Sequence, residues 1–254
     1  MKIETMTPEE AKRRTRLTLP PSLDEETVAH VAVRDKQTGE ISDPAVAGLA
    51  AAVKIAREEA AAPINVEKFT LSDTTLTADA ALLSVAQAAL ASGTRVATRL
   101  DAARGRAKAE IESINKRTSC PPAPTGPVFG LQHEIEIRTA LAGMPERVRE
   151  STINDAFKTK DLSIIGAVLR APAFLSGVGK ARLELIRAQY QREFHPGDAE
   201  RVDVLNKALE ATERAGVLFM KMVREASESP VIQLAQAGVR NRREAEQALK
   251  ARGV

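Results

Sequence analysis

Between Leu82 and Ile114 the apolar positions return every third or fourth residue: Leu82, Ala86, Ala89, Val96, Leu100, Ala103, Ala107 and Ile114. Side chains three and four apart share one face of an α-helix, so this spacing predicts a single apolar seam along a long helix. The helix opens at Thr77 or Asp79 and runs to about Arg117, with Gly93 and Gly105 as places to kink or break. A second seam has the same period: Val202, Leu205, Leu209, Thr212, Gly216, Phe219, Val223 and Ala226 within 198–228. Asp198 heads that segment as an N-cap, and Ser229-Pro230 ends it and starts the last helix. Seams of this kind suit a coiled coil or a helical hairpin.

Shorter elements fill the rest. Asp43-Pro44 is a helix start, with an acid at the cap and proline at the first helical position. The Ala-rich segment behind it is expected to stop at Pro63. INVEKFTLSDTTL then alternates polar and apolar residues and reads as a short strand. In the second half, helices are expected at 131–142, 146–157, 161–170, 180–194, 198–228 and 230–251. Residues 1–43 read as an extended arm, in which VAHVAV allows a short β-hairpin around Thr27 to Val33 followed by the turn-like KQTGE. SCPPAPTGPVFG, at 119–130, holds four prolines and two glycines and reads as a linker.

These elements define the expected architecture. The fold class is mainly α, in two helical parts with long coiled-coil-like helices and an extended N-terminal arm. The parts are the arm 1–43, a helical N-terminal domain 44–118 with one long helix, the Pro-rich linker 119–130 and a helical C-terminal domain 131–254. Composition agrees: aromatic residues make up 3% of the 254, with no Trp and only Tyr190. A core of Ala, Leu, Val and Ile suits closely packed helices.

Charge and special residues narrow the function classes. The net charge is +3, which permits contact with nucleic acid without requiring it. Basic residues gather in KRRTR at 12–16, between Arg95 and Arg117 (seven basic, three acidic), and in RNRREAEQALKAR near the C-terminus. Stacking aromatics do not accompany them, so they suit phosphate or an acidic surface rather than base reading. The lone Cys120 builds neither a disulfide framework within the chain nor a cysteine zinc site. The first residues, MKIETMTPEEAKRR, lack the apolar core of a signal peptide, and AVAGLAAAVKIA is too short and too polar at Lys54 to span a membrane. A protein that is neither secreted nor membrane-spanning is expected.

Catalytic patterns are missing from the sequence. His30, His133 and His195 lie far apart; His133 beside Glu134 and Glu136 reads as a solvated helix face, and His195 as a helix C-terminal residue. Cys120 stands in a proline-rich loop with no neighbouring base. There is no GxSxG, P-loop or dinucleotide fingerprint. No enzyme activity, cofactor, metal site or small-molecule substrate is expected.

One stretch resembles a known motif. In LSGVGKARLELI, Leu175, Gly177, Val178 and Gly179 match the hairpin of the helix-hairpin-helix motif of DNA repair and recombination proteins, and Ile186 matches its later apolar position. The resemblance implies that Gly177, Val178, Gly179 and Lys180 contact a DNA phosphate through backbone N–H groups and a helix N-terminus. Leu183 stands where that motif favours Ala, and Ser176 where it favours Pro. The competing expectation is a helix C-cap, with Gly177 left-handed and the next helix packing back.

A broader stretch, about 135–194, resembles uncharacterised virion-associated or assembly proteins of tailed bacteriophages, through MPERVRES, AVLRAPAFLSG and YQREF. It implies a structural component of a multi-subunit particle, located in the virion or in the host cytoplasm during assembly. The expected partners are other protein subunits, whether copies of this chain or other virion proteins, with nucleic acid secondary; the arm would strap a neighbouring subunit. The alternative is a DNA-binding module without sequence preference built on the 177–180 turn.

Overall fold

The computed structural model describes residues 16–35, 38–124 and 127–251, with the side chains of 127–129 left aside. Nine α-helices occur among the described residues: α1 (Glu26–Ala29), α2 (Pro44–Ser72), α3 (Ala78–Arg117), α4 (Pro127–Gly143), α5 (Glu146–Thr159), α6 (Leu162–Leu169), α7 (Lys180–Phe194), α8 (Pro196–Ser227) and α9 (Pro230–Ala251). A 3₁₀ turn at Ala173–Ser176 joins α6 to α7. The fold is mainly α, as the periodicity predicts.

The chain divides into two compact units, one of Met1–Ala107 with Leu205–Val254 and one of Lys108–Val204. The sequence reading divides it elsewhere, at 119–130. Composition marks a proline-rich loop, but α3 and α8 each contribute residues to both units.

In the first unit, Asp43 caps α2 by accepting hydrogen bonds from the N–H groups of Ala45 at 2.8 Å and Val46 at 3.4 Å. Pro63 does not end this helix, and INVEKFT is not a strand. Ala56, Ala60, Pro63, Glu67 and Leu71 are all buried and share one stripe, so burial carries the helix past the missing proline N–H. Glu67 hid that stripe from the sequence, because a charged residue occupies a core position at 1% exposure. Its carboxylate accepts N–H bonds from Arg16 at 3.0 Å and Leu17 at 2.9 Å. Leu17 and Leu23 are buried as well, so the expected arm is anchored to its own unit at these residues. Residues 1–15 of the expected arm fall outside the described residues.

The expected strand over Thr27 to Val33 is corrected. Glu26–Ala29 is helical, with the Asp24 carboxylate accepting from the Glu26 N–H at 3.1 Å and Val28 and Ala29 buried. The alternation in VAHVAV is a helical turn that buries two adjacent residues. A single antiparallel bridge pairs Arg34 with Ile41, and Gly39 turns the chain at φ 70°. The α3 helix passes Gly93 and Gly105 without a break. At Gly93 an added Cβ would lie 3.3 Å from Val223 Cγ1, so the glycine lets α3 and α8 approach closely there. The whole α3 seam from Leu82 to Ile114 is buried, as are Leu205, Leu209, Thr212, Phe219, Val223 and Ala226 of the second. By length and composition α3 passes as a membrane span, but 44% of its apolar window is buried within the chain.

The second unit packs α4–α7 around Leu141, Ile153, Phe157, Ile165, Val168, Val178, Ile186 and Tyr190. Lys160 takes the left-handed conformation at φ 56° to end α5. Asp161 then caps α6, accepting from the Ser163 N–H at 2.9 Å.

Candidate functional site

The 177–180 turn is held from within. Pro172 starts the 3₁₀ turn, and Gly177 ends it at φ 67°, a left-handed conformation that glycine adopts without a Cβ penalty. Its N–H donates to Phe174 O at 3.2 Å, and the Val178 N–H donates to Ala173 O at 3.1 Å. Val178 is buried in the core of this unit, and Gly179 begins α7 without a side-chain cap. An added Cβ on Gly177 would meet the Arg149 guanidinium at 2.8 Å and the Ala142 backbone at 3.2 Å. Arg149 in turn donates to Met144 O at 3.2 Å at the end of α4. Two of the N–H groups that a phosphate hairpin would offer are therefore engaged inside the turn. Lys180 is exposed at the first position of α7.

A buried ion cluster lies in the same unit, and the sequence reading missed it. Glu134 is 5% exposed, not on a solvated face, while His133 and Glu136 beside it are exposed. Its carboxylate accepts from Arg138 at 3.2 Å and from Arg170 Nε at 2.7 Å. Arg170 also donates to Pro121 O at 2.7 Å and Pro122 O at 2.9 Å, and Arg138 to Ala167 O at 3.2 Å. One buried carboxylate thus orients two guanidinium groups, and one of these holds the proline-rich stretch against α4 and α6. Gly166 makes room for it: a Cβ there would sit 2.2 Å from Arg170 Nη2. A glycine one helical turn before an arginine is the only sequence signal, and it is too common to single out.

His195 ends α7, as expected, with its Nε2 3.2 Å from the Tyr190 hydroxyl. Burial, and secondarily the neighbouring Cys120, raise the Tyr190 pKa. Cys120 packs partly buried on the same core, and the hydroxyl of Ser119 lies 3.7 Å from its sulfur. The arrangement stacks Tyr190 on Phe194 at 5.0 Å and packs a core; it does not aim a base at a nucleophile. Among the described residues, no group of three or more His, Cys, Asp or Glu is placed to hold a metal ion.

The basic face at 95–117 is partly neutralised by partners within the chain. Arg95 binds Glu59 at 2.7 Å, Arg104 binds Glu213 at 2.6 Å, and Arg117 pairs with Asp198. The basic end of α9 differs: every residue from 240 to 251 is exposed, including Arg240, Arg242, Arg243 and Lys250. Beside α8, in the first unit, runs an open groove of about 1220 Å³. Asp24, Glu26 and His30 lie on one side of it, and Glu210, Glu213, Arg214 and Val217 on the other.

No family model matches the chain, and neither a curated protein nor a solved structure matches it.

Proposed function

We propose that the protein is a structural subunit of a larger assembly and that it acts through helix packing. The observation that carries this reading is α9: a regular helix whose residues 240–251 are all exposed, with Leu249 still 57% exposed. An isolated helix of that length is marginal in water, because nucleation is costly and nothing is buried to offset it. A partner surface would supply the missing burial. Val217, in the same unit, adds an exposed apolar side chain.

The resemblance over 135–194 makes a tailed-bacteriophage virion or assembly protein the specific form of this proposal. In that reading the chain performs no catalytic step and takes no cofactor. Leu17 and Leu23 of the proposed arm are buried in their own unit, so a strap to a neighbouring subunit would fall to other residues of 1–43. The DNA-binding alternative has less support, because the amides of Gly177 and Val178 are engaged within the turn.

The test is to purify particles from cells that naturally express the chain and to quantify it by mass spectrometry. A fixed copy number per particle, or a constant presence in assembly intermediates, supports the reading. Its absence from both overturns it.

A further inference from the structure

No further inference is drawn: the strongest candidate, the groove beside α8 in the first unit, carries nothing, because three of its four carboxylates already hold arginines of this chain (Asp24 with Arg57, Glu26 with Arg34 and Glu213 with Arg104) and nothing in the structure shows what covers it.

Discussion

Gly105 and Gly166 both sit inside helices, and a sequence gives them the same weight. Their surroundings differ. An added Cβ at Gly105 meets nothing within 4 Å, whereas at Gly166 it meets the Arg170 guanidinium. Replacing Gly105 by Ala should therefore stabilise the chain by about 0.5–1 kcal/mol, the ordinary helix-propensity gain. Gly166→Ala should destabilise by about 1–3 kcal/mol, because the displaced arginine leaves Glu134 short of a buried partner. Urea midpoints measured side by side check the opposite signs. Asp161 gives a pH signature at the same scale. The Ser163 hydroxyl first, and then the backbone N–H groups of Ser163 and Ile164, hold its pKa down against the opposing effect of burial. A lowered folded-state pKa means stability that is present above the unfolded value of about 3.9 and lost as pH falls through the folded one. At pH 7, Asp161→Ala should cost about 1 kcal/mol, as a lost N-cap does. Unfolding midpoints of the two proteins should converge below the ordinary Asp pKa, and a gap that persists at acid pH would refute the assignment.

At the scale of elements, the sequence was informative where burial and polarity agree. The α3 and α8 seams were legible because nearly every predicted position is apolar or small and lies inside. α2 was cut short because Glu67 breaks the pattern while occupying the core, and because Pro63 is normally a stop signal. α1 was misread because VAHVAV alternates over too few residues to separate a strand from a helical turn. The 177–180 turn was legible as a C-cap, down to the left-handed Gly177. The two glycines of that turn should respond differently to substitution. Gly177→Ala should destabilise by about 1–2 kcal/mol, since it combines a positive φ with contact on Arg149 and Ala142. Gly179→Ala should be near neutral, because its φ of −72° is ordinary and its Cβ position is open. Neither should change binding to a mixed-sequence DNA duplex across a salt series. Tight, salt-sensitive binding lost in Gly179→Ala without a stability change would establish a phosphate hairpin.

For the whole molecule, composition and contact disagree about where the chain divides, and the reason is physical. Prolines and glycines mark where regular structure stops, but a domain is defined by what shares a core. The stretch at 119–130 reads as a linker, yet Arg170 holds the carbonyls of Pro121 and Pro122, and Pro124 leaves no room for a Cβ on Gly130. The arginine contacts are not visible in the sequence, because they depend on Glu134 orienting an arginine from 36 residues away. The first unit instead gathers both ends of the chain, with Ile232 of α9 packed on Leu71 and Leu82, and Glu213 of α8 paired with Arg104 of α3. Expressed alone, 131–254 should therefore fold poorly. It would carry α8 and α9 without the α2 and α3 surfaces they bury against, and α4–α7 without Cys120 and the carbonyls that hold Arg170. The segment 108–204 keeps its own core of Leu141, Phe157, Ile165, Ile186 and Tyr190 intact. It should melt cooperatively by circular dichroism where 131–254 melts broadly. A sharp transition in 131–254 and none in 108–204 would restore the division at the proline-rich stretch.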